Sequence, residues 1–341
     1  MKFNLRSIAA APIVHGDQTS SRADVWGYIL ALVGAAFFSL KAIFVKLAYQ
    51  SDSLAEPVDA LTLLALRMIF SLPFYILISV WALRRWRRDH DSRYPPLKSV
   101  VIAALLGSLG YYVCAFLDFA GLQYITAQLE RLLLFTYPVF VLVLGALFFG
   151  GRITLTGILS ILIAYAGIAV IFSGGAIATG ENLWLGVILV LGAAFFFALF
   201  QLLAKPQINK IGGLMFTCIA MSSAAITTLL HFGFTEAGQA GIGAALDLPG
   251  EIYLIGFLIA AVSTIIPSFM INIALGRIGA QAVAIMGMIN PIVTIAFAIW
   301  LLGEPFSSID AIGTTLTIFG IGLYTWFDSR PQTQPKSVAA R

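Results

Sequence analysis

Charge is what this chain has least of. Asp, Glu, Lys and Arg together make up 11% of its 341 residues, where soluble domains carry roughly 25%. With 60% of the residues hydrophobic, a soluble globular domain is excluded. Cysteine is limited to Cys114 and Cys218, both inside apolar runs, with no CxxC and no neighbouring His. They read as small buried hydrophobes, so neither a disulfide framework nor a metal site is expected. No GxxxxGK[ST] occurs, which argues against a nucleotide-driven motor within the chain. Sixteen acidic and twenty basic residues leave a net charge of +4, with no basic face on a soluble domain to meet nucleic acid. No catalytic residue, cofactor or nucleic-acid partner is expected.

Long apolar runs are abundant. A spanning helix needs about 20 mainly apolar residues. Ten runs meet that length, at about 26–48, 59–83, 99–121, 126–149, 153–173, 183–204, 213–234, 251–275, 280–302 and 309–327. The expected fold class is therefore an all-α integral membrane protein with ten transmembrane helices. Residues 1–25, whose apolar patch "IAAAPIV" is too short to span, and 328–341 read as tails. The basic residues set the orientation. Lys2, Arg6, Arg22, the "RRWRRDHDSRYPPLK" segment, Arg152, Lys205, Lys210, Arg277, Arg330, Lys336 and Arg341 all fall on one side if both termini are cytoplasmic. The opposite loops hold Asp52, Glu56, Asp59, Glu181, Glu236, Asp247, Glu251 and Glu304. A multi-pass protein of a bacterial inner membrane, with both termini in the cytoplasm, is expected.

The chain repeats itself. "YITAQLERLLLFTYPVF" (124–140) lies over "RIGAQAVAIMGMINPIV" (277–293), with Gln128 on Gln281 and Pro138 on Pro291, an offset of 153. "GYILALVGAAFFSLKAIFVK" (27–46) lies over "GVILVLGAAFFFALFQLLAK" (186–205). Each half, 26–175 and 183–327, holds five spans. Five is odd, so the second half enters the bilayer from the opposite side. Two inverted five-helix repeats suit a secondary transporter, with its substrate site between the halves.

Ten spans in this arrangement, with a repeat ending "A-Q…P…G-E-P…G…G", resemble the EamA family of the drug/metabolite transporter superfamily. The resemblance covers about residues 26–327 and is strongest at "NPIVTIAFAIWLLGEP". The first half departs from the pattern, with Gly151 where the second has Glu304. The resemblance implies transport of amino acids, other metabolites or drugs, and it favours export; it does not name a cargo.

A few ionisable residues lie within the spans, where they are costly and face a cavity or a partner. They are Lys41, Arg67, Asp118, Glu130 and Arg131, all in the first half. At 1.5 Å rise per residue they form one layer, roughly 5–12 Å from the outer end of four helices. Their second-half counterparts are neutral, among them Phe200, Val283 and Ala284. Three cations meet two carboxylates, an excess of one positive charge. Adjacent helical residues point about 100° apart, so Glu130 is expected to face Lys41 or Arg67, and Arg131 to face Asp118 or a cavity. Two readings stay open for this layer. It is either an ion-pair network packing the helices, or a wall that binds an anionic or zwitterionic substrate or carries a proton. Tyr137, Gln281 and Asn290 are further candidate binding residues, and Pro138 and Pro291 candidate hinges at matched positions. Ser160, Ala164 and Gly167 match Gly313, Thr317 and Gly320, which suggests a close helix pair and a homodimer face. The alternative function is a membrane-embedded enzyme acting on a lipid-linked substrate, although the connecting segments are poor in His, Asp and Glu.

Overall fold

The computed structural model describes residues 25–52, 58–89, 94–149, 155–174, 176, 182–235 and 241–328. The two expected tails, the Glu56 and Glu181 loops and Gly151 lie outside them. All regular structure among the described residues is helical. The elements are α1 (Val25–Tyr49), α2 (Ala60–Asp89), α3 (Leu97–Gly107), α4 (Cys114–Leu122), α5 (Ala127–Leu134), α6 (Tyr137–Phe149), α7 (Leu155–Phe172), α8 (Leu183–Ile211), α9 (Gly213–Phe234), α10 (Ile242–Ala245), α11 (Gly250–Ala260), α12 (Ile266–Gly287), α13 (Ile289–Leu302) and α14 (Ser308–Asp328). Among the described residues, seven stretches are long and apolar enough to cross a membrane, and Gly157–Phe172, Ile289–Leu302 and Ser308–Leu323 are shorter apolar helices.

The polarity of the molecule is turned outward-in. Leu77, Leu105, Leu147, Ile188, Trp300 and Phe319 are exposed, while Ser39, Asp118, Gln128, Glu130, Arg131, Thr264 and Thr294 are buried. In water this arrangement would cost free energy on both counts; against hydrocarbon it is the expected one.

Residues of the two halves interleave. α1 lies along α12 and α13, α2 packs on α9 and α11, α3 on α9, α4 on α8, and α5 on α13. α3 and α4 join through a widened π-helical turn at Ser108–Val113, and α11 and α12 through another at Ala261–Ile265. Their first residues differ by 261 − 108 = 153, the same offset as the sequence repeat. Such turns redirect side chains and free backbone carbonyls.

Two boundaries depart from the hydropathy reading. α2 runs on through Arg84 to Asp89, so much of the Arg-rich segment is helix. Nothing between Pro73 and Pro95 in the sequence breaks it. The expected break between runs 251–275 and 280–302 is absent, and α12 continues from Ile266 to Gly287. The matching break in the first half, at residues 123–126, is held open by capping. Thr126 caps α5 there, whereas its second-half counterpart is Gly279, which has no side-chain acceptor to start a new helix.

Pro138 and Pro291 each fall in the first turn of a new helix, α6 and α13. There a missing N–H costs little. The preceding helix ends at residues 135–136 in one half and at Met288 in the other. Thr136 Oγ1 donates to Leu133 O at 2.6 Å, the carbonyl that also accepts the Thr136 N–H at 3.1 Å.

α7 and α14 pack face to face, as their matched small residues suggest. A Cβ at Gly167 would stand 2.4 Å from Thr317 Oγ1 and 2.5 Å from Gly313 O. One at Gly320 would stand 2.5 Å from Ala164 N. Backbone cannot retreat as a flexible side chain can, so Gly320→Val is expected to destabilise the fold by about 1–3 kcal/mol or more. The check is the melting temperature of the detergent-purified protein.

Candidate functional site

α5 begins where it does because its first N–H groups find acceptors from two directions. A helix leaves its first four N–H groups without intrahelical partners. Ala127 N donates to Glu304 Oε1 at 2.6 Å, Gln128 N to Glu304 Oε2 at 3.2 Å, and Leu129 N to Thr126 Oγ1 at 3.2 Å. The Gln128 amide also donates to Pro305 O at 3.2 Å. The "A-Q" of the first half thus meets the "G-E-P" turn of the second. Gly303 makes that turn by ending α13 in the left-handed region, at φ 63°. The carboxylate also suits the positive end of a helix dipole.

The cap delivers the next two residues, Glu130 and Arg131, into the protein interior. Glu130 is fully buried, Asp118 is 2% exposed and Arg131 is 7% exposed. Lys41, on α1, reaches both carboxylates. It pairs closely with Asp118, and its Nζ lies 3.4 Å from Glu130 Oε1. Arg131 Nε lies 3.8 Å from Glu130 Oε2, within ion-pair range but beyond a hydrogen bond. Glu130 therefore meets Lys41, one of its two expected partners. Arg131 turns to its own neighbour Glu130, and among the described residues it makes no ion pair with Asp118. A 100° step between neighbours separates their Cβ directions, but two long side chains can still converge.

This cluster of two cations and two anions is charge-balanced. It is also under-bonded: Asp118 Oδ1, Glu130 Oε2, and Arg131 Nε and one Nη are enclosed without a hydrogen-bond partner. A finished structural network would satisfy such groups.

Arg67, expected in the same layer, stands apart from it. Its Nε donates to Thr264 Oγ1 at 3.0 Å, and its guanidinium carbon lies 5.8 Å from the centre of the Phe119 ring. It belongs to no ion pair among the described residues. Asn290 is turned toward α1, where Ser39 Oγ lies 3.3 Å from its Oδ1 and 3.1 Å from its backbone O, acceptors that share the one hydroxyl proton with Ala35 O. Tyr137 packs edge-on against Phe135 and Phe197 rather than against the charges. The side chain of Gln281 lies outside the described residues.

Two residues were not legible as site-builders. Lys46 donates to Leu122 O at 3.0 Å and so closes the carboxyl end of α4 below Asp118. Tyr49 does the same for Phe119 O at 2.9 Å. Their i, i+3 spacing on α1 was the available signal.

A buried, under-bonded charge cluster on three first-half helices, in a helical molecule with an apolar exterior, suits a multi-pass membrane transporter. Comparison gives the family. Residues 25–173 and 184–326 match the EamA-like transporter family, to which the chain belongs. It is 28% identical over 298 residues to the "Uncharacterized transporter YcbK" of Bacillus subtilis, covering 87% of this chain and 92% of that one. It is 23% identical to the "Uncharacterized transporter sll1319" of Synechocystis, covering 93% and 98%. It is 27% identical to the "Probable terminal-alkyne amino-acid exporter" of Streptantibioticus cattleyicolor, covering 68% and 75%. A solved structure titled "Crystal structure of protein" shares the fold, with a TM-score of 0.53 at 14% identity over 89% of this chain and 99% of that one.

Proposed function

We propose that this protein is a secondary transporter that exports small metabolites, of which amino acids are the first class to try. It would work by alternating access between two inverted five-helix repeats, 26–175 and 183–327, that together supply ten spanning helices. The observation that carries this is the cluster of Lys41, Asp118, Glu130 and Arg131. It is buried, balanced in charge and left with four polar atoms that lack a hydrogen bond. A group that binds and releases something needs such unspent capacity, whereas apolar packing would hold the helices together as well. The amino-acid class is supported by the printed name of the Streptantibioticus relative. Proton coupling or exchange is the energy source, with Asp118 and Glu130 sharing Lys41 as the groups that would trade a proton. The paired helix breaks before Pro138 and Pro291 are the hinges of this scheme. Both termini would face the cytoplasm of a bacterial plasma membrane. The small-residue faces of α7 and α14 are spent on each other, so a homodimer through these helices would use their outer sides.

The test is flux in proteoliposomes holding the purified protein, across a panel of amino acids, amines and other small metabolites, with and without a pH gradient. Saturable flux of a subset of solutes is expected. No flux of any solute, with turnover of a lipid instead, would overturn the proposal.

A further inference from the structure

The site has one cation too many, and the structure locates it. Lys41 and Arg131 are matched by Asp118 and Glu130 through three ion pairs. Arg67 is left. It is 8% exposed, and a guanidinium withdrawn from water without a counter-charge costs several kcal/mol in effect. No charged residue lies at 220–226, the range its second-half counterpart occupies at offsets of 153 to 159. The helix position can therefore be built without the charge.

Its setting is prepared rather than incidental. Thr264 belongs to the widened turn at Ala261–Ile265, where its hydroxyl donates to Ile259 O, five residues back, at 2.9 Å. With its single proton committed, the hydroxyl oxygen is left as an acceptor for Arg67 Nε. Phe119 lies beside the guanidinium carbon. These contacts fix the fork while occupying only Nε. The two Nη groups meet no acceptor among the described residues and, unlike one Nη of Arg131, are not enclosed among the unpaired atoms. They remain as a pair of parallel donors. That is the geometry that takes both oxygens of a carboxylate. One surplus positive charge suits a single carboxylate group rather than a doubly charged phosphate.

We infer that Arg67, held by Thr264 across the two halves, receives the carboxylate of the transported molecule. The balanced Lys41–Asp118–Glu130–Arg131 cluster serves a separate task. This inference rests on the transporter reading. The substrate class it names is small carboxylate-bearing molecules, including zwitterionic amino acids.

The experiment is proteoliposome flux with the full-length protein, in chloride-free buffer and with added sodium chloride. The probes are the proteinogenic amino acids, each beside its amide and its decarboxylated amine. Wild type is expected to move some of the acids and to discriminate against their amides and amines. Arg67→Gln should lose about tenfold or more of the acid flux at low substrate, the size of a lost charge-assisted pair. Arg67→Lys should recover part of it through KM, and Thr264→Val should weaken the acid-over-amide preference while leaving the charge in place. If Arg67→Gln fails to purify as a monodisperse protein, the Arg67→Lys and Thr264→Val preferences decide. Equal movement of acids and amides, an unchanged preference in the variants, or an Arg67-dependent response to chloride alone would overturn the inference and leave the transporter standing. If wild type moves none of these probes and no other small metabolite, both fall.

Discussion

Lys41→Met is expected to abolish transport and to lower sharply the amount of folded protein. The reason is the sharing at its ammonium, which pairs with Asp118 and lies 3.4 Å from Glu130 Oε1. Without it, two enclosed carboxylates would have Arg131 alone, and that only at 3.8 Å from Glu130. Removing one partner of a buried pair costs about 3–5 kcal/mol, a large fraction of the whole stability of a domain. The double variant Lys41→Met/Asp118→Asn removes one charge of each sign. It should recover much of the folded protein, because Glu130 and Arg131 remain balanced, but it should not recover transport. The readouts are the monodisperse yield from detergent extraction and the flux per folded molecule. Recovery of both would reduce Lys41 and Asp118 to packing.

Glu304→Ala is expected to have the second large effect, at a distance from the charges. Two N–H groups at the start of α5 would lose their only acceptor in an enclosed place. Each unsatisfied buried donor costs about 1–3 kcal/mol. Thr126 alone would cap the helix that positions Glu130 and Arg131. Glu304→Ala is expected to lower the melting temperature and to impair flux strongly. Glu304→Gln, which keeps one acceptor oxygen but not the charge, should fall between Ala and wild type. Hydrogen exchange localises the effect: Ala127 to Leu129 should lose protection before the rest of the chain. Unchanged protection there would mean that the cap does not hold α5 in place.

Legibility in the sequence followed the length scale of the signal. Spans of twenty apolar residues are long-range averages, and among the described residues seven stretches reach that length while three apolar helices are shorter. The small-residue match between α7 and α14 was also readable, because close approach leaves few residue types to choose from. Capping was not. That Glu304 closes α5 depends on a turn 177 residues away in sequence, and no local pattern shows which helix start a carboxylate will reach. The run-on of α12 has the same origin, since hydropathy marks where a helix is apolar but not where its caps are missing.

Within the charge layer, four of the five expected residues come together and Glu130 meets Lys41, while Arg67 stands apart and Arg131 turns to Glu130. Glu130 and Arg131 point apart at Cβ, yet their flexible side chains converge. Arg67 shares their depth, yet the bulky Phe119 and the hydroxyl of Thr264 hold it in a setting of its own. Depth is a one-dimensional coordinate read from chain position. Partner choice depends on the rotation and tilt of four helices, which packing against the other half determines. Asn290 and Tyr137 illustrate this. They occupy matched positions, but one bonds to Ser39 and the other packs among aromatic rings.

The most direct test of the account is flux through the purified double variant Glu130→Gln/Arg131→Ala. This change removes one charge of each sign from the cluster and so leaves its balance intact. A monodisperse protein of near-normal yield that no longer moves the solutes carried by wild type is the predicted result. Wild-type flux from the same folded variant would contradict it, and would make the buried charges a device of packing alone.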